Sequence, residues 1–224
     1  GERALLEAEF RRGIFLILII ILPAMVGLWS LGRTIFDLLF HWGQFGVRDI
    51  EQVLPVFEIF IFTLPFYGLS THFIRGYHSK KDTIRPMIFS FINCITNVIL
   101  TIVLMFYYGA IGIALANLLS VILQMFLLHG GLRRNYEEFR VSILTVKFLK
   151  VLTASLLMGG IVIIFDRILG IYFLGKVHGA VSLFLNIPLG VVIYFGFLYL
   201  FLGRRNLDEL RPLVMRLVRG FRRN

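Results

Sequence analysis

The chain has 224 residues, of which 58% are apolar and 16% charged, with 23 Phe and a net charge of +10. A globular domain carries about 45–50% apolar and about 25% charged residues, so this chain holds more apolar surface than a core of its size buries, which excludes an ordinary water-soluble enzyme. Its one cysteine, Cys94, allows no intramolecular disulfide and no thiolate metal cluster built from this chain alone.

A helix that crosses about 30 Å of hydrocarbon needs about 20 mostly apolar residues, and six stretches reach that length: 13–32, 53–74, 86–108, 110–129, 146–165 and 179–202. The fold class expected is all-α, a polytopic membrane bundle of six transmembrane helices with interfacial amphipathic helices at the ends. Residues 1–12 read as a cytoplasmic interfacial helix, since Leu5, Leu6 and Phe10 accompany Arg11 and Arg12. The first span is no signal peptide: five more spans follow, and Pro23 with Arg33 stands where a small-residue cleavage site belongs. Residues 13–135 hold four spans, the last two joined only by Tyr108-Gly109-Ala110, which predicts a tight antiparallel hairpin. Residues 136–202 hold two more. Pro23, Pro65 and Pro188 interrupt three spans, each freeing a carbonyl and kinking its helix. In 203–224, Leu207, Leu210, Val214, Leu217, Val218 and Phe221 recur at helical spacing between arginines, the pattern of an amphipathic helix lying on an anionic leaflet. Anchoring is its expected role, with docking of a soluble partner as the alternative.

Loop charge sets the orientation. With a cytoplasmic N-terminus, nineteen basic residues fall inside, in groups of three, four, five and seven, and only Arg33, Arg48, Arg167 and Lys176 fall outside. Such a split follows the positive-inside rule, and six spans return the C-terminus to the same side. Topology thus accounts for the basic excess, and no nucleic acid is expected as a partner.

Ionisable groups at membrane depth are functional candidates because burying them is costly. Glu58, three residues after Pro55, is a candidate ion or proton site lining a hydrated path, or else it snorkels to the outer interface. His72 is a candidate proton relay, or a hydrogen-bonding contact to a neighbouring helix. Arg33 and Asp37, four apart, suit a weak helical ion pair. Asn93, Thr96 and Asn97 share one face of the third span, and Asn117, Ser120 and Gln124 one face of the fourth. Across the hairpin they suit interhelical hydrogen bonds worth about 0.6–2 kcal/mol each, in preference to lining a hydrated cavity. None of these assembles a metal site or a nucleophile with its base, and no prosthetic group is expected; a coupling cation is the one small ligand left open.

Four segments in order carry a resemblance: Leu22-Pro23-Ala24-Met25-Val26-Gly27-Leu28, Leu39-Phe40-His41-Trp42-Gly43-Gln44-Phe45, Arg75-Gly76-Tyr77-His78-Ser79-Lys80-Lys81-Asp82-Thr83-Ile84-Arg85-Pro86, and Tyr108-Gly109-Ala110-Ile111-Gly112-Ile113-Ala114-Leu115-Ala116. Together they resemble the MurJ/MviN family, lipid II flippases of the multidrug, oligosaccharidyl-lipid and polysaccharide exporter superfamily. The family has fourteen transmembrane helices, and by register this chain is similar to the ninth to fourteenth, a C-terminal portion whose partners include the preceding helices of the same protein. The resemblance implies a multi-pass protein of the bacterial inner membrane, with both termini cytoplasmic, that moves lipid II or a related polyprenyl-diphosphate glycolipid between leaflets by alternating access, without covalent chemistry. Membrane lipids are its other partners.

Carried over position by position, Arg75 is a candidate contact to the substrate diphosphate, a task suited to a planar multi-donor cation. Lys80, Lys81 and Arg85 are candidates to collect the same head group, or are topology signals alone. Asp82 is expected to cap the third span and Pro86 to start it. Gly76 and Trp42 depart from the commoner family residues, an aromatic and often an arginine. Gly159, Gly160, Gly190 and Gly196 mark a candidate groove for the lipid tail between the last two spans, or close helix packing through small residues. Alternatives are a flippase for another polyprenyl-linked oligosaccharide, a cation-coupled drug antiporter of the same superfamily, and a non-transporting membrane scaffold.

Overall fold

A computed structural model describes residues 2–40, 46–139, 146–173 and 175–207. Six long helices account for nearly all of them: α1 (Glu2–Phe40), α2 (Val47–Ser79), α3 (Ile84–Tyr108), α4 (Ala110–Asn135), α5 (Val146–Tyr172) and α6 (Gly175–Leu207), with one 3-10 turn at Glu137–Phe139. All six are long and apolar enough to cross a membrane. No strand occurs among the described residues.

Every expected span lies inside one of these helices, but the helices run further. The first corrects an expectation: residues 1–12 are no separate interfacial helix, because α1 continues unbroken from Glu2 through the span to Phe40. Phe10 explains why. Its ring is buried against His72 and Phe139, 4.5 and 4.6 Å between centroids, instead of lying on a membrane surface. Pro23, Pro55, Pro65 and Pro188 all lie within continuous helices. Of the tail, residues 203–207 continue α6, and 208–224 lie outside the described residues, as do His41–Phe45 of the second motif.

The α3–α4 hairpin forms as the short connection requires. Gly109 turns the chain at φ +58°, a left-handed conformation that glycine adopts without a Cβ clash, and its amide bonds to Met105 O at 2.9 Å. Beyond this hairpin, α4 packs on α2, α2 on α1, and α1 on both α5 and α6. α1 is therefore shared between two groups, α2 to α4 on one side and α5 with α6 on the other. The core follows that helix: Leu18, Leu22, Val26, Leu69, Phe73, Leu128, Val151, Met158 and Leu198 are all buried in one continuous cluster. α3 is the exception. Its face away from α4 is apolar and uncovered, with Phe91 and Phe106 at 65% and 85% exposure.

Candidate functional site

One end of the bundle gathers the basic residues of the α2–α3 turn. Asp82 organises them: its Oδ1 accepts the Arg85 amide at 3.2 Å, and its Oδ2 accepts Arg85 Nη1 at 2.9 Å and the Tyr136 hydroxyl at 3.0 Å. Asp82 thus accepts an amide of the first turn of α3, whose N-cap position is held by Thr83, while Pro86 sits in that turn and Ile84 starts the helix. Desolvation pushes the Asp82 carboxyl up, but these donors outweigh it and hold its pKa below the ordinary value. Lys80 reaches Glu138 at 3.1 Å. Lys80 and Arg85, both expected at a head group, therefore tie the turn to the segment after α4. Arg75 and Lys81 differ: both are exposed, and their side chains make no hydrogen bond or ion pair among the described residues. Lys81 stands at φ +58°, turned out of the helix path. His72 donates from Nε2 to Phe10 O at 3.0 Å, a contact between α2 and α1.

Between α3 and α4 the polar faces meet. Asn97 Nδ2 donates to Ser120 Oγ at 3.0 Å, Gln124 Nε2 to Ser90 Oγ at 3.1 Å, and Tyr67 of α2 to Asn117 Oδ1 at 3.2 Å. Only Asn97–Ser120 joins two residues of the expected faces; Gln124 and Asn117 bond instead to Ser90 and to Tyr67 of α2, and Asn93 Oδ1 is buried without a hydrogen-bond partner among the described residues.

A second surface is an apolar groove of about 540 Å³ between α1, α5 and α6. Ile20, Pro23, Gly27 and Leu31 of α1 form one wall, Met158 and Val162 of α5 the floor, and Gly190, Val191 and Phe195 of α6 the other wall. Of the four glycines expected there, only Gly190 lines it. Gly159 is buried under α1, where a Cβ would overlap Val26 and come within 2.9 Å of Ser30 Oγ, so its role is close packing. Gly160 and Gly196 have no neighbouring atom within 4 Å of a Cβ. The wall from α1 was not legible, because nothing in the sequence says which face of the first helix meets the last.

The third surface lies at the opposite end, where α1, α2, α5 and α6 meet around a polar cleft of about 900 Å³. Asp166 of α5 is its anchor. Ser182 donates a hydrogen bond to Asp166 Oδ1, Thr34 donates to Oδ2 at 3.2 Å, and His178 lies 3.6 Å from Oδ1 and 3.2 Å from the Asp166 carbonyl. Asn186 Nδ2 donates to Ser182 Oγ at 2.8 Å, extending this chain to the apolar groove that Asn186 also lines. Glu58 faces the cleft from α2. Arg33 stands 3.6 Å from Glu51, a pair too exposed to contribute much. Asp166, Ser182 and His178 escaped the sequence reading because each is a single polar residue near a span end, and only folding brings α5 and α6 together around them.

Comparison with known proteins places this architecture. The family model "Lipid II flippase MurJ" matches residues 1–183. A probable lipid II flippase MurJ of Bdellovibrio bacteriovorus is 30% identical over 84% of this chain and 36% of its own length. One of Thermotoga maritima is 26% identical over 89% of this chain and 38% of its length. The chain spans well under half the length of these relatives. Among solved structures, a lipid II flippase MurJ in an inward closed conformation shares the fold at a TM-score of 0.73 and 24% identity, covering 93% of this chain and 40% of that one. The match over most of its residues shows that the chain belongs to the MurJ family of lipid II flippases.

Proposed function

We infer that the chain forms the part of a lipid II flippase that corresponds to the last six helices, and that the whole protein moves the lipid-linked peptidoglycan precursor from the inner to the outer leaflet of the bacterial inner membrane. The observation that carries this is the family match over residues 1–183, which includes the α2–α3 turn and most of the apolar groove. The geometry supports it. A head group bearing charge and sugars needs a hydrated, cationic surface to avoid the cost of entering hydrocarbon, while its prenyl tail needs an apolar one. Arg75 and Lys81 are exposed and uncommitted on the first kind of surface, and the groove between α1, α5 and α6 is the second. Arg75 and Lys81 contact the diphosphate; Lys80 and Arg85 hold the turn that presents them.

Arg11, Arg75, Lys80, Arg85, Arg133 and Lys147 gather at one end of the bundle, so this end faces the cytoplasm by the positive-inside rule and the Asp166 cleft faces outward. The uncovered face of α3 packs against helices of the longer protein. Depletion of the protein that carries this chain is expected to make lipid II accumulate on the cytoplasmic face of the membrane; an unchanged distribution between leaflets overturns the assignment.

A further inference from the structure

Pro23 has no N–H, so the carbonyl four residues before it, that of Ile19, has no donor in the helical ladder of α1. In a membrane-spanning helix bulk water does not replace that donor, and a neighbouring element must supply one. The hydroxyl of Tyr194 on α6 does so, donating to Ile19 O at 2.6 Å across 175 residues of sequence. Both residues are buried, so the bond is shielded. The match is selective. Pro55, Pro65 and Pro188 also lie inside helices, but among the described residues no side chain donates to the corresponding carbonyls of Glu51, Ile61 and Phe184.

The place of this bond gives it a second effect. Ser182, Asn186, Gly190, Tyr194 and Leu198 recur every fourth residue and form the buried stripe of α6. That stripe is fastened twice, through Ser182 to Asp166 of α5 and through Tyr194 to Ile19 of α1. The two fastenings are about 18 Å apart along the helix; between them Gly190 presents no side chain, and the apolar groove opens. Ile19, Pro23 and Tyr194 all line that groove, so the bond ties its two walls together at the end nearer the basic turn. We propose that Tyr194 is a positioning residue: by answering the carbonyl that Pro23 frees, it splints α1 at the one proline inside that helix and holds the wall of α6 at a set distance from the wall of α1. A hydrocarbon chain lying in the groove then meets a width fixed by a directional bond as well as by packing. The inference rests on the transport reading only for what the groove holds; the splint is a property of the fold.

Tyr194→Phe keeps the ring and removes only the donor. In thermal unfolding of the full chain in detergent it should lower the midpoint by about 2–4 °C, the shift that one net hydrogen bond gives at this size. Pro23→Ala restores the N–H that Ile19 lacks, so in that background Tyr194→Phe should cost less than half as much. An equal drop in both backgrounds, or no drop in either, overturns the splint. The positioning role is read in proteoliposomes of the longer protein, with lipid II on its undecaprenyl tail and an analogue on a short farnesyl tail. Tyr194→Phe should raise the half-saturating concentration of the long-tailed lipid by about fivefold, the equivalent of the same bond, with the maximal rate kept and the short-tailed lipid unaffected. A lower maximal rate with both half-saturating concentrations unchanged marks a stability defect alone and overturns the positioning role, as does an equal shift for both tails. Failure of the unaltered protein to move either lipid refutes the transport reading, and the splint then stands or falls on the unfolding cycle.

Discussion

Replacing Asp166 with Ala removes the acceptor on which three helices converge. Ser182 and Thr34, both buried, lose the partner of their hydroxyl hydrogens, and Asn186, 1% exposed, loses the fixed Ser182 oxygen it donates to. If each of the two bonds to Asp166 is worth the bilayer average of about 0.6 kcal/mol, the loss is about 1 kcal/mol. If each behaves as a bond to a charged group in a protein interior, at about 1.5 kcal/mol, the loss is about 3 kcal/mol. For a chain of this size 1 kcal/mol moves a midpoint by about 2–4 °C, so thermal unfolding in detergent, followed by tryptophan fluorescence, should show a drop of roughly 2–12 °C. Asp166→Asn, which preserves shape and one acceptor, should lie between the two. Combining Asp166→Ala with Ser182→Ala should cost less than the two singles added, by at least about 0.5 kcal/mol, because they share one bond. A midpoint for Asp166→Ala within 1 °C of the unaltered chain, or strict additivity with Ser182→Ala, would refute the claim that this network joins α1, α5 and α6.

Further outcomes follow from the packing. Gly159→Leu places a branched side chain where Val26 and Ser30 already touch the backbone and should separate α1 from α5 at a cost of about 1–3 kcal/mol, whereas Gly160→Ala and Gly196→Ala, which place a Cβ in open space on a helix, should cost nothing and raise the melting temperature slightly. Asp82 is held below the ordinary carboxylate pKa, so its contribution is complete above that range and is lost as pH falls below about 4; the unaltered chain should lose stability between pH 5 and pH 3, and Asp82→Asn should lose less over about the same interval. In a lipid II translocation assay on the longer protein, Arg75→Ala and Lys81→Ala should reduce transport with no change in melting temperature. Lys80→Ala, which removes the ion pair to Glu138, should lower the melting temperature; a Lys80→Ala variant that is stable but inactive would assign that lysine to the substrate instead.

The six spans and the Gly109 hairpin were legible because each depends on a local property, a run of about 20 apolar residues or a turn too short for anything but a reversal. The Asn97–Ser120 bond was legible for a similar reason, two polar faces at helical spacing on adjacent antiparallel helices, but Tyr67 of α2 takes Asn117 and Ser90 takes Gln124, partners that the spacing alone does not name. What failed was any inference that required knowing a distant partner. The first twelve residues have the charge pattern of a surface helix, and only the burial of Phe10 by His72 and Phe139 shows that they extend the span. Lys80 and Arg85 count as positive charges in any tally of loops, but Glu138 and Tyr136, more than fifty residues later, decide what those charges are free to do. Asp166 lies one residue beyond the expected end of its span, outside the stretch searched for ionisable groups at membrane depth, and Glu58 was singled out without the cleft it lines.

The sharing of α1 between the two helix groups has a mechanical side. At about 1.5 Å per residue its 39 residues extend about 58 Å, nearly twice the hydrocarbon thickness. A rigid rod of that length, tilted by about 10° around its middle, carries each tip through about 5 Å in opposite directions. The basic turn lies near one tip and the Asp166 cleft near the other, so a rocking motion that loosens contacts at one end tightens them at the other. The same shaft that holds the bundle together thus couples its two ends.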